Sequence, residues 1–262
     1  MFALSFAAVL PSILPRRFDR LDALRGVAIV WMAAFHFCFD LNFFGYLHPY
    51  QWFQRDPFWT VQRTCIVTLF LLCAGMGQAV ALDAGQGWLR FWWRWAQVAG
   101  CAVLVSIGSA QMFPNTWIGF GVLHGIAVML IVVRFVAPRL LELGVAGEAA
   151  LAALAVVAIM LPRYVHDPFF DSRWTNWVGL VTHLPRTEDY VPVLPWLGVM
   201  LAGVLLGHRL LKQRPQLLSG SLPGALRPLA VLGTWSLTFY MLHQPILIGA
   251  IYAWRWATTG SF

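Results

Sequence analysis

The stretch LRGVAIVWMAAFHFCFDL, residues 24–41, places three ionisable side chains in an otherwise apolar run. Arg25 and His36 are eleven residues apart, about three helical turns, so a helix brings them to one face, and Asp40 follows one turn later. An aspartate that accepts a hydrogen bond from one ring nitrogen raises the basicity of the other nitrogen. The spacing therefore predicts that His36 is a general base oriented by Asp40. The alternative is a histidine that only bonds a neighbouring helix.

Two further histidines fall in apolar segments, His124 in FGVLHGIAV and His243 in TFYMLHQPIL. Together with His36 they could line one polar cavity, and we expect His124, His243 and Asp189 to help place a substrate. For each histidine an interhelical hydrogen bond is the alternative.

Arg90 and Arg94, in LRFWWRWAQ, are one helical turn apart. Two arginines on one face, with Arg25 as a third positive charge, suit a phosphorylated ligand that enters from the cytoplasm. The alternative is that the pair only marks membrane orientation.

The elements that position these residues are predicted to be membrane-spanning helices. Hydrophobic residues make up 60% of the 262-residue chain and charged residues 11%, and the mean hydropathy is +0.69. Apolar stretches close to the roughly 20 residues that cross a bilayer recur throughout. The sequence therefore predicts an all-α transmembrane bundle that forms a single domain over residues 1–262. The seven expected spans are 24–47, 59–82, 88–109, 116–133, 147–161, 191–211 and 229–254.

The positive charges predict the orientation of the bundle. Of the 18 lysines and arginines, twelve fall in one alternate set of loops and six in the other. Because cytoplasmic loops are enriched in these residues, we expect a cytoplasmic N-terminus and an external C-terminus. Residues 1–20 are predicted to form an interfacial segment, and residues 162–190 an outer loop large enough to help shape a binding site.

The sequence contains none of the short motifs that are typical of other chemistries. The four cysteines form no CxxC pair, and no Walker loop, GxSxG or HExxH sequence is present. We therefore expect no metal. Nucleic acid is not expected as a partner either, because the basic residues lie beside apolar helices and not along one soluble face.

Several motifs resemble one family of membrane proteins. The segment FDRLDALRGVAIVWMAAFHFCFDLNFFG is similar to the opening of the family related to the catalytic domain of heparan-alpha-glucosaminide N-acetyltransferase. FGVLHGIAV, EDYVPVLPWLGVMLAGVLLG and WSLTFYMLHQPIL resemble later motifs of that family, so the resemblance covers residues 18–254. The spacing of Arg25 and His36 also resembles the Arg and His motif of the acyltransferase-3 enzymes.

The resemblance implies a multi-pass enzyme of the inner membrane that transfers an acyl group, expected to be acetyl. Acetyl-CoA or another acyl-CoA would donate from the cytoplasm, and a sugar amine or hydroxyl of a cell-envelope saccharide would accept on the far side. By this resemblance His36 is catalytic, and Arg25, Arg90 and Arg94 contact the coenzyme A. The pair here is spaced RxxxR, whereas acyltransferase-3 proteins usually have RxxR. The lysosomal relative makes His48 a reserve candidate.

Two other classes of protein remain as alternatives. Histidines on different transmembrane helices can ligate haem, as in a membrane electron-transfer protein. A small-molecule transporter is the second alternative, although the chain has no paired half-motifs.

The predicted orientation can be tested with reporters at the C-terminus. We expect an alkaline phosphatase fusion to be active and a green fluorescent fusion to be dark, because an odd number of spans carries the C-terminus outside. The reverse pattern would refute the seven-span arrangement.

Overall fold

A computed structural model describes residues 18–260, in which the regular elements are all helices. The prediction of an all-α fold is therefore confirmed. The predicted interfacial segment falls mostly on residues 1–17, outside the described part of the chain. The helices are α1 Asp19–Phe43, α2 Pro57–Asp83, α3 Trp88–Met112, α4 Val122–Leu141, α5 Val145–Met160, α6 Val193–Gln213, α7 Gln216–Ser219, α8 Arg227–Thr234 and α9 Ser236–Thr259.

Within residues 18–260, six helical segments are long and apolar enough to cross a membrane. They are α1, α2, α3, α4, α6 and the segment Val145–Arg163, which includes α5. The less apolar α9 has 24 residues, so it extends about 36 Å, more than the hydrocarbon core of roughly 30 Å. With α9 included, the count agrees with the predicted seven.

The ends of the predicted spans differ from those of the helices by several residues, and in two cases the difference bears on the site. The predicted span 229–254 is divided, because α8 ends at Thr234 and α9 begins at Ser236. The predicted span 116–133 starts six residues too early, since α4 begins only at Val122. Its first free backbone N–H donates to the side chain of Asp189, at 2.7 Å. This distant carboxylate fixes where the helix starts.

The most extensive helix contact joins α2 to α6, and it depends on small residues. A Cβ on Gly75 of α2 would collide with the backbone of Met200 on α6, so only glycine lets the two helices approach this closely. In a membrane, close van der Waals packing of this kind is a main force between helices. The buried side chains of Leu71, Met129 and Met200 form the adjoining core between α2, α4 and α6.

The C-terminal helices pack on α1. The short α8 lies along the first half of α1, where Gly26 faces the backbone of Leu229 and Gly233 faces the backbone of Asp22. The longer α9 packs on the second half of α1. This arrangement brings the first third of α9, which contains His243, next to His36.

One helix, α3, has little protein around it. It packs mainly on α4, where the Trp95 indole donates to the carbonyl of Ala127 at 2.9 Å. Only 6% of its spanning stretch is buried inside the protein, against 56% for α4. Most of the surface of α3 is therefore left for lipid.

Candidate active site

A cavity of about 390 Å³ lies between α1, α2, α3, α4 and α9. This volume lies in the range of ligand-binding pockets, roughly 300 to 1,000 Å³. Most of its wall is aliphatic and aromatic, with Phe35, Phe39 and Phe70 among the contributors. The polar side chains that line it are Gln54, Arg63, Ser109, Glu188 and Asp189, together with His36, Tyr240, His243 and Gln244.

The two histidines of the cavity bond each other. Nδ1 of His36 lies 2.7 Å from Nε2 of His243, and Nδ1 of His243 lies 2.6 Å from the carbonyl oxygen of Tyr240. A carbonyl can only accept, so Nδ1 of His243 carries a proton and its Nε2 accepts from His36 when both rings are neutral. The remaining lone pair is then on Nε2 of His36. This tautomer is the one that a general base in the cavity needs.

Asp40 does not make the predicted hydrogen bond to His36. Its Oδ1 accepts from Nε2 of Gln244 at 2.7 Å, and its buried Oδ2 has no hydrogen-bond partner. The side chain is 3% exposed. Spacing by one turn placed Asp40 near His36, but α9 supplies a partner to each of them, His243 to the imidazole and Gln244 to the carboxyl group. Asp40 thus fixes the position of α9 next to the histidine pair.

His124 lies apart from this pair, so the expectation of three histidines in one cavity is met only by His36 and His243. Nδ1 of His124 accepts from the backbone N–H of Gly121 at 3.3 Å, and Nε2 lies 3.1 Å from Oγ of Ser106. Oγ of Ser106 donates to the carbonyl of Ile118 at 2.7 Å. Both ring nitrogens are therefore used within the structure: Nδ1 caps the start of α4, and Nε2 joins it to α3.

The outer loop contributes two acidic residues to the cavity, as its predicted role requires. Glu188 accepts from the hydroxyl of Thr116 at 2.5 Å, and Oδ2 of Asp189 accepts from the backbone N–H of Val122 at 2.7 Å. A Cβ on Gly121 would collide with the carboxyl group of Asp189, so the glycine permits this contact. Arg63 of α2 lines the same end of the cavity.

Burial raises the pKa of the Asp189 carboxyl above its usual value. The backbone N–H of Val122 and the charge of Arg63 act in the opposite direction, but burial has the larger effect. In the same loop, the side-chain hydrogen bond from Thr182 lowers the pKa of the half-buried Asp171. The carboxyl groups of Asp189 and Asp171 thus have opposite pKa shifts.

The predicted coenzyme-binding arginines are not grouped. The guanidinium of Arg25 pairs with Asp22 at 2.7 Å and lies against Gly77 on α2. Arg90 and Arg94 are exposed at the start of α3, which packs on α4 and not on α1. The reserve candidate His48 is exposed in the loop between α1 and α2, and it does not line the cavity.

Arg63, Glu188 and Gln244 are among the polar cavity residues that were not predicted as site residues from the sequence. Arg63 could have been found, because it lies inside the predicted span 59–82 and a charge in a span usually has a function. Glu188 is next to a residue that was identified, but nothing in its own spacing distinguishes it. Gln244 follows His243 directly, and its role is seen only in the folded protein, where it donates a hydrogen bond to Asp40.

Together, the fold and the cavity define an all-helical, multi-pass membrane protein with a pair of histidines in an internal pocket. A family model described as "Heparan-alpha-glucosaminide N-acetyltransferase, catalytic" matches residues 17–245. The chain belongs to this family, whose activity is that of a membrane acetyltransferase. Comparisons with curated proteins and with solved structures gave no match.

The stability of the protein is expected to depend on pH through Asp189. Because its folded pKa is raised, the charged form costs folding free energy above that pKa, and the cost disappears as the pH falls towards the unfolded value near 4. Asp189→Asn keeps an oxygen for Val122. We expect it to unfold at a higher temperature than the unchanged protein at about pH 8, with the difference shrinking towards about pH 4.

Asp171→Asn is the matched control, with the opposite sign. The lowered pKa of Asp171 contributes stability above its unfolded value, and that stability is lost as the pH falls through the folded pKa. This variant should therefore be less stable at about pH 8 and approach the unchanged protein in acid. Thermal unfolding curves at a series of pH values compare the two variants, and the same sign for both would contradict the assignment.

Proposed function

We propose that the protein transfers an acetyl group from cytoplasmic acetyl-CoA to a sugar amine or hydroxyl on the far side of the membrane. The hydrogen bond between His36 and His243 carries this proposal. With this bond made, a lone pair remains on Nε2 of His36, and His36 lines the cavity. Membership of an acetyltransferase family favours this reaction over haem-based electron transfer or transport.

The reaction breaks the thioester C–S bond and forms a C–N or C–O bond to the acceptor. His36 removes the proton of the attacking amine or hydroxyl as the bond forms, and this proton then goes to the leaving thiolate, which departs as coenzyme A thiol. His243 accepts a hydrogen bond from His36 throughout, and so holds the ring in the productive tautomer. Asp40 acts as a positioning residue, because it holds Gln244, the neighbour of His243.

The acceptor is proposed to enter from the outer end of the cavity. Glu188 and Asp189 offer carboxylate oxygens there, and Arg63 offers donors. Sugar hydroxyls both donate and accept, so they fit such a mixed set. The aromatic side chains of Phe53 and Phe113 in the same wall offer apolar surface for the faces of a sugar ring.

The donor is proposed to bind at the opposite end. Arg25 lies about 16 Å from His36 along the axis of α1, a separation that an extended pantetheine arm can bridge. The cavity reaches Met32, one turn from His36 in that direction. Arg90 and Arg94 begin α3 on the same predicted side and are exposed to the solvent there, so they remain candidates for contact with the phosphates.

His36→Ala is expected to lower acetyl transfer by about 10²- to 10⁴-fold, because a general base contributes a factor of this size. The measurement is the incorporation of labelled acetyl-CoA into products of membranes that contain equal amounts of each protein. His48→Ala is the matched control, since His48 lies outside the cavity, and it should keep full activity.

Thermal unfolding of the His36→Ala protein distinguishes catalysis from packing. A histidine that only bonds a neighbouring helix would cost stability, on the order of 1 to 2 kcal/mol, without a selective loss of activity. A folded His36→Ala protein with undiminished transfer would show that the base lies elsewhere.

Replacing Arg90 and Arg94 together by alanine is expected to raise the apparent KM for acetyl-CoA more than the KM for the acceptor. The reason is that charge-assisted contacts to phosphate would be lost only on the donor side. Initial rates measured while each substrate is varied give the two constants. Equal changes in both, or no change, would leave these arginines as orientation signals.

A further inference from the structure

The cavity has an opening in its side, between α3 and α9. Leu104, Gly108 and Met112 of α3 all line the cavity, yet all three are exposed at the protein surface. The exposed fraction is 59% for Leu104 and 52% for Met112. On α9, Pro245 also lines the cavity and is exposed. Residues that face both the interior and the surface mark a gap in the wall.

The packing of the two helices is consistent with such a gap. α3 and α9 make few contacts with each other. A Cβ placed on Gly108 would have no atom within 4 Å, apart from its chain neighbours and the nearby backbone of its own helix. The cavity is therefore not closed by protein on this side.

The opening lies at the level of the outer leaflet. Gly108 follows the first residue of α3 by twenty positions, about 30 Å along the helix axis. Because α3 starts on the predicted cytoplasmic side, this distance brings Gly108 close to the outer boundary of a hydrocarbon core of about 30 Å. Leu104 lies one turn deeper. The gap thus extends from the level of the outer-leaflet chains at Leu104 to the membrane surface at Met112.

The cavity is amphipathic as a consequence. Its outer end holds the charged groups of Arg63, Glu188 and Asp189, whereas the sides of the opening are formed by apolar residues such as Leu104 and Pro245. His36 lines the same cavity. A molecule with a polar head and a hydrocarbon chain matches this distribution, with its head at the charged end and its chain in the opening.

We propose that the acetyl acceptor is a glycolipid of the outer leaflet. Its sugar head lies between His36 and the outer polar residues, and its hydrocarbon chain leaves the protein between α3 and α9. The acetyl group has no chain to fill the opening, and the donor is assigned to the opposite end of the bundle. This inference rests on the proposed acetyl transfer and adds the class of acceptor.

Two probes with the same reactive group test the inference. The purified protein in phosphatidylcholine vesicles is given acetyl-CoA and either hexadecyl α-glucosaminide or methyl α-glucosaminide, and acetylation of each is measured. A long chain also concentrates the probe in the membrane, so the rate ratio of the two probes must be compared between variants. Gly108→Trp places an indole in the opening. Gly100→Trp is the matched control, because Gly100 is equally free of neighbours on α3 but does not line the cavity.

We expect the ratio of hexadecyl to methyl acetylation to fall at least tenfold in Gly108→Trp and to stay unchanged in Gly100→Trp. Leu104→Trp, on the same side of the opening, should behave like Gly108→Trp and serves if that variant does not fold. An unchanged ratio in the folded variants, or no preference for the long chain in the unchanged protein, overturns the inference while the proposed acetyl transfer stands. No acetylation of either probe contradicts the acetyl transfer itself.

Discussion

The hydrogen bond between His36 and His243 is the interaction on which the rest of the site depends. It joins two residues that are 207 positions apart in the chain, one on α1 and one on α9, and it forms only if the two helices place these residues at the same height in the bundle. Two other contacts keep α9 at this height relative to α1: α8 packs along the start of α1, and Gln244 bonds Asp40. When both rings are neutral, the pair places no net charge inside the membrane, where an unpaired charge would be costly.

The sequence predicted the helices well and the contacts between them poorly. Apolar runs fix where helices cross a bilayer, and His36 was noticeable because it interrupts such a run. Its partner could not be deduced, since spacing along one helix brings Asp40 near His36, while the packing of α9 decides which groups bond. The start of α4 shows the same limit. Val122 begins the helix because Asp189, 67 residues later, accepts its N–H.

Through the carboxylate of Asp189, the outer loop contributes both to the start of α4 and to the site. Asp189 caps α4 and also lines the cavity, so the loop cannot move away from α4 without changing the polar end of the pocket. A second contact joins two parts of the loop: the hydroxyl of Tyr190 donates to the carbonyl of the buried Asn176 at 2.7 Å. A loop of this length without long helices therefore gains its order from a few polar contacts.

The sparse packing of α3 has a consequence for how the protein is handled. Where α3 and α9 separate, the cavity is bounded by whatever surrounds the protein, which in a cell is the bilayer. Extraction with detergent replaces that boundary with a different amphiphile, whose tail can enter the same space. A purified sample can therefore be fully folded while a detergent molecule occupies its cavity. The choice of detergent then decides which molecule fills the site.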